Sequence, residues 1–192
     1  MLWKGRFFNM KTTRTMKQTK RIILWLPERT IFYGDIVCEG KELDVYIEEG
    51  CKVTGDINAN NVITGNNVTI IGNIFVKGNV ILGERCYVMQ AIAGENISVG
   101  DGTRLLSIDA GRIARLGSHV TCEDITAGHD MIAGRHCQIN EINTTGSIKL
   151  GDFTEVSTKI ASLDKVCLGK NVIIPIEALP QLSDDKIRTI SK

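Results

Sequence analysis

The chain has 192 residues, of which 43% are apolar and 23% charged, and its net charge is +1. That length is enough for one domain with a real core, and the balance is that of an ordinary water-soluble protein. No segment approaches the ~18 apolar residues of a membrane span, and the six cysteines form no C-x-x-C pair, which fits reduced thiols better than a disulfide framework.

Residues 1–29 read as a basic leader. Lys4, Arg6, Lys11, Arg14, Lys17, Lys20 and Arg21 all precede the first acidic residue, Glu28, whereas the chain after residue 26 holds 16 basic against 22 acidic residues. A basic tail on a mildly acidic body predicts an anionic partner, a membrane surface or nucleic acid, with a plainly solvated leader as the alternative. The run "IILWL" at 22–26 is shorter than the ~7–15 residues of a signal-peptide core, so a cytoplasmic location is expected.

Residues 30–175 are expected to form a single domain. Between residues 28 and 174 there is no proline, yet 18 of the 19 glycines fall between Gly34 and Gly169. Proline removes ladder donors from strands, and glycine suits tight turns. The glycines are periodic. Gly83, Gly100, Gly117, Gly134, Gly151 and Gly169 follow one another at 17, 17, 17, 17 and 18 residues. A second column runs through Gly78, Gly94, Gly111, Gly128 and Gly146, and an isoleucine column through Ile36, Ile57, Ile74, Ile92, Ile108, Ile125, Ile142 and Ile160. Helical repeats need about 30 residues or more. The runs between these turns are short and rich in Val and Ile, such as "VIL", "ISV" and "IKL", which marks strands. The expected fold is all-β: a parallel β-helix of about eight ~17-residue coils, each with three short strands and three corners, stacked ~4.8 Å apart.

Two columns are expected to face inward. Three residues past the turn glycine stand Val68, Cys86, Thr103, Val120, Cys137 and Thr154; five past stand Ile70, Val88, Leu105, Cys122, Ile139 and Val156. Cysteine in such company is a small core hydrophobe. The stretch Leu116–Asp152 holds all three histidines, but His119 and His136 share an outward corner column with Asn67, Arg85, Phe153 and Asn171. A zinc site needs about four converging ligands, so no metal, cofactor or catalytic residue is assigned. No Walker loop, G-x-S-x-G or strand-borne G-x-G-x-x-G is present. Residues 176–192 are expected to form a tail, or a short helix capped by Ser183 that covers the last coil.

The recurring Gly-[Asp/Asn]-[Ile/Val] of Gly34-Asp35-Ile36, Gly55-Asp56-Ile57, Gly72-Asn73-Ile74 and Gly78-Asn79-Val80, set on a ~17-residue rung over residues 34–174, resembles the bactofilins, bacterial cytoskeletal proteins. The resemblance implies a right-handed helix and a non-enzymatic scaffold that polymerises end to end without nucleotide. It also implies that "MLWKGRFF" is a membrane-targeting peptide carried by Leu2, Trp3, Lys4, Arg6, Phe7 and Phe8. Partners would be other copies of the chain, the inner membrane surface and cell-wall enzymes, in cell-shape or wall organisation, rather than nucleic acid. The expected polymer contacts are Phe32 and Ile36 at one end and Val172, Ile173 and Ile174 at the other. Two other functions fit a short-rung β-helix. One is a hexapeptide-like acyltransferase with His119 or His136 as general base, although its sides of six, six and five residues between Val99 and Leu116 depart from an 18-residue coil. The other is a binding module that uses a flat face.

Overall fold

A computed structural model describes residues 21–38, 42–178 and 187–189. Side chains alternate between core and solvent along nearly every strand, which is what Val- and Ile-rich segments of period two impose. The first coil contains β1 (Ile22–Leu26), β2 (Ile31–Phe32) and β3 (Ile36–Val37). The second contains β4 (Leu43–Ile47), β5 (Lys52–Val53) and β6 (Ile57–Ala59). The third joins β7 (Asn61–Thr64) to the long β8 (Thr69–Val76). Then short and long strands alternate: β9 (Val80–Leu82) and β10 (Tyr87–Ala93), β11 (Ile97–Val99) and β12 (Arg104–Ala110), β13 (Ala114–Leu116) and β14 (Thr121–Ala127). They continue with β15 (Met131–Ala133) and β16 (Gln138–Thr144), then β17 (Ile148–Leu150) and β18 (Glu155–Ser162). A final β19 (Val166–Leu168) is followed by a 3-10 turn, η1 (Ile176–Ala178), and β20 (Ile187–Thr189).

All the pairings are parallel, and the result is a β-solenoid of about eight turns. One sheet runs β1-β4-β7-β9-β11-β13-β15-β17-β19-β20; the other runs from β18 through β16, β14, β12 and β10 to β8, which β5 and β6 then share. From the third coil on, the third corner lies inside the long strand. β12 pairs at Arg104–Leu105 and again at Ser107–Ala110, and the unpaired Leu106 turns out to solvent. The coil thus has three sides, two of which belong to one bent strand.

The stretch 22–26, expected to end the leader, opens the solenoid instead. β1 pairs with β4 over five residues, from Ile22↔Leu43 to Leu26↔Ile47. Its spacing of 21 residues falls outside the period of 17. Both predicted inward columns are buried: every residue from Val68 to Thr154 and from Ile70 to Val156 is at most 3% exposed. The isoleucine column needs one correction. Ile74 pairs with Ala91, and Ala91 with Ile108, so Ala91 is the inward residue, while the half-buried Ile92 pairs with Phe75 and Asp109 on the outer side. The spacings of 18 and 16 on either side of Ile92 mark that displacement.

The glycines are required for a reason other than turn conformation. Gly111 does not have a positive φ, but a Cβ built on it would stand 2.1 Å from the carbonyl oxygen of Gly94 in the coil below. Coils at strand spacing bring corner backbones together until no side chain fits between them. The left-handed turn falls two residues past Gly65 and past each glycine of the first column, at Asn67, Arg85, Gly102, His119, His136, Phe153 and Asn171. Each non-glycine there costs on the order of 1 kcal/mol. The backbone offsets it with an N–H donated to the next coil, as from His119 to Arg135 at 2.8 Å and from Phe153 to Lys170 at 2.8 Å.

The two kinds of corner position should respond oppositely to substitution. Gly111→Ala forces backbone apart inside a packed stack and should cost about 2 kcal/mol or more in urea unfolding. Gly102→Asn enters a left-handed position where the column already carries asparagine, and should stay within about 0.5 kcal/mol of the parent. A Gly111→Ala protein that unfolds with the parent would show that the coils are not held at that spacing.

Candidate functional site

The histidine-rich stretch resolves into a corner ladder. The rings of His119, His136 and Phe153 stack in parallel along the solenoid axis, with centroids 4.9 Å apart in both pairs and interplanar angles of 3° and 2°. The left-handed backbone at each position points the side chain outward, and the coil rise brings successive rings into contact. All three are exposed. Among the described residues no group of three or more His, Cys, Asp or Glu is placed to hold a metal. The arrangement contributes ring stacking, about 0.5–1.5 kcal/mol per pair.

The cysteines stand in hydrogen-bonding core positions. The Cys86 and Cys137 thiols donate to the carbonyls of Gly65 and Gly117, at 3.3 and 3.2 Å, and the Thr103 and Thr154 hydroxyls donate to Gly83 and Gly134, both at 3.0 Å. Cysteine is followed by threonine twice in this column, at Cys86-Thr103 and Cys137-Thr154, and each supplies a small side chain with a donor for a corner carbonyl, while Val68 and Val120 fill the same column without one. Burial pushes the thiols of Cys51 and Cys137 above the usual range. Burial, reinforced by the neighbouring Asp124 carboxylate, pushes Cys122 up to about 12. These groups are poor nucleophiles at neutral pH. Cys38 and Cys167 are half-buried.

A second ladder runs along the corners. The carboxylate of Asp56 accepts the backbone N–H of Asn73 at 2.7 Å, Asp101 accepts that of Ser118 at 2.8 Å, and Asp152 accepts that of Lys170 at 2.8 Å. Each bond joins one coil to the next in the C-terminal direction. This accounts for the Gly-[Asp/Asn] signature: glycine permits the approach, and the following acceptor uses it.

The two ends of the stack differ. At the N-terminal end, among the described residues, β1, β2 and β3 pair only with the coil above, so their outer edges carry free ladder positions. Ile22, Leu24, Phe32 and Cys38 are half-buried against the core there. Of the predicted contacts, Phe32 belongs to this surface, while Ile36 is 3% exposed and pairs with Ile57. At the other end Val172 and Ile174 are half-buried against the core, and Ile173 between them is 61% exposed. The backbone of Ile173 bridges to β18, donating to Thr154 at 3.0 Å and accepting from Val156 at 2.9 Å. Then η1 packs against β18, burying Ala178, and β20 pairs with β19. The C-terminal segment, expected as a tail or capping helix, thus contributes one 3-10 turn and a strand; Ser183 lies outside the described residues.

The outer face of the first sheet adds a feature not foreseen from the sequence. Trp25, Tyr46, Ile63 and Ile81 succeed one another in register, with Trp25 and Tyr46 stacked at 6.3 Å. Tyr46, Ile63 and Ile81 border a shallow groove, also lined by Arg21, Ile23 and Asp44. Asp44 is 4% exposed and ion-paired with Arg21. Burial raises its pKa, but hydrogen bonds from Asn61 and Arg21, together with the Arg21 charge, outweigh that and hold the carboxyl below its usual range. The alternation of a strand buried on one side marks these positions as outward; nothing in it signals that four would be apolar in succession.

Leu2, Trp3, Lys4, Arg6, Phe7 and Phe8 lie outside the described residues. Among those described, no helix is long and apolar enough to cross a membrane. The geometry defines a class, a parallel β-solenoid whose two ends are finished differently. No family model, no curated protein and no solved structure matches the chain.

The Cys122 thiol yields a signed pH prediction. Burial holds its folded pKa up at about 12, above the ordinary thiol value of 9.0, so the fold favours the neutral form. That stability is complete below pH 9 and is lost as pH rises toward 12. Cys122→Val, matching Val88 and Val156 in the same column, removes this part of the slope. Urea unfolding at pH 8 and pH 10.5 should therefore show the variant gaining on the parent at the higher pH. An equal difference at both values would mean the thiol ionises as freely in the fold as outside it.

Proposed function

We propose that this chain is a non-enzymatic scaffold that joins end to end, coil upon coil, into nucleotide-independent filaments of the kind the bactofilin resemblance implies. The observation that carries it is the N-terminal end: three strand edges that, among the described residues, are free on their outer side, around half-buried Ile22, Leu24, Phe32 and Cys38. A free edge over exposed core is a template for a further strand. The other end has the same cross-section and complementary polarity, so that a head-to-tail contact repeats without closing.

In this reading the basic leader, with Lys4 and Arg6 set between Leu2-Trp3 and Phe7-Phe8, attaches the assembly to the cytoplasmic face of a membrane. A short anchor of this kind binds weakly alone and firmly in an array. The assembly positions other proteins, such as cell-wall enzymes, and needs no cofactor.

Sedimentation of the purified full chain without nucleotide, over rising concentration, tests it. Species heavier than 21.1 kDa should grow with concentration. Phe32→Asp, at the open edge, should raise the concentration needed at least tenfold, while Lys149→Asp, exposed at the centre of β17, should leave it unchanged. Circular dichroism of both variants checks that the solenoid is intact. A chain that stays monomeric throughout, or a folded Phe32→Asp protein that assembles like the parent, would overturn the proposal.

A further inference from the structure

The C-terminal end is closed by the chain's own substitute for a coil. β20 continues the register of the first sheet, with Val166↔Ile187, Cys167↔Arg188 and Leu168↔Thr189. It occupies the place on β19 that β1 of a following copy would take in a continuous stack, in the same parallel sense. Among the described residues the substitution is incomplete. β20 has three residues, whereas β1 has five and makes five register pairs with β4. Along β18, eight residues long, the next layer offers one bridge at Ile173 and the turn η1. Every interior long strand from β10 to β16 instead has a full neighbour on both sides.

Resting on the end-to-end reading above, we infer that β20 is an autoinhibitory strap: it pairs with the C-terminal edge in place of the next subunit, and assembly requires its displacement. The strap is tethered and so present at high effective concentration, which suppresses addition at low protein concentration. It is shorter than the strand that replaces it, so an incoming β1 wins once copies are abundant or their leaders are gathered on one surface. The competition concerns one end only. The N-terminal edge stays free among the described residues, and so each chain carries one open and one guarded end.

Two full-length variants test this. Arg188→Pro removes a backbone N–H from the middle of β20 and weakens the strap. Arg188→Cys places a thiol at the register partner of Cys167; paired positions in adjacent strands lie about 4.8 Å apart, within the span of a disulfide. Light scattering should show the Arg188→Pro chain assembling at a concentration at least tenfold below the parent. Oxidised Arg188→Cys, with the Cys167 disulfide confirmed by peptide mapping, should not assemble, and dithiothreitol should restore it; oxidised parent is the control for Cys38. If parent, Arg188→Pro and oxidised Arg188→Cys all assemble at one concentration, the strap inference fails and the scaffold stands. If none assembles, including Arg188→Pro, the scaffold reading fails and the strap is a plain cap.

Discussion

The constraint on which the rest of this structure depends is the fixed rise between coils, set by the parallel backbone ladder. Neighbouring strands settle about 4.8 Å apart, and every part of the coil must accept that distance, corners included. Strands accept it easily, because side chains stack in line above their own kind. Corners do not. At Gly94, Gly111 and Gly128 the backbones approach until a methyl group would strike the carbonyl below. The same closeness lets Asp56, Asp101 and Asp152 reach the next coil's N–H, and brings His119, His136 and Phe153 into ring contact. Glycine columns, acceptor ladders and aromatic stacks are thus three consequences of one spacing.

That origin explains what was legible in the sequence. A constraint repeated in every coil leaves a periodic trace, so the solenoid, its strand-rich coils and its inward columns follow from the spacing of Gly83 to Gly169. The histidines could be set aside as corner residues because Asn67, Arg85 and Phe153 occupy equivalent positions. What failed was whatever departs from the period. β1 escaped because 21 residues separate it from β4, with Pro27 at the corner between. Ile92 entered the isoleucine column because that series tolerates a slip of one residue, which in a strand exchanges inside for outside, and Ala91 holds the equivalent place. β20 escaped because three residues without a turn glycine carry no repeat signal. The glycines were found for an incomplete reason: tight turning was the expectation, but close approach is the cause.

The ends were the least legible part, and there is a physical reason for that too. An interior coil is specified by two neighbours, so its residues are chosen by stacking on both sides. A terminal coil has only one, and what finishes it is free to vary. Phe32, Val172 and Ile174 could be recognised as apolar and terminal, but whether they meet solvent, another copy or the chain's own C-terminal segment depends on contacts that no period encodes.

A stack whose every layer resembles the next has no internal reason to stop, so its length must be set by what terminates it. Among the described residues, the lower end of this chain is ordinary strand edge, with aliphatic and aromatic side chains half-covered. The upper end is finished by a bridge, a turn and a three-residue strand, each weaker than the coil element it replaces. A cap meant only to protect the core would be expected to outcompete strand addition, by being longer, by diverging from the ladder or by carrying proline at the pairing positions. Here the covering strand keeps the ladder's direction and register, and so matches the geometry of the addition it prevents. In the proposed scaffold, an element of that shape would favour the closed form over addition of a copy without excluding it, and the competition would then depend on concentration.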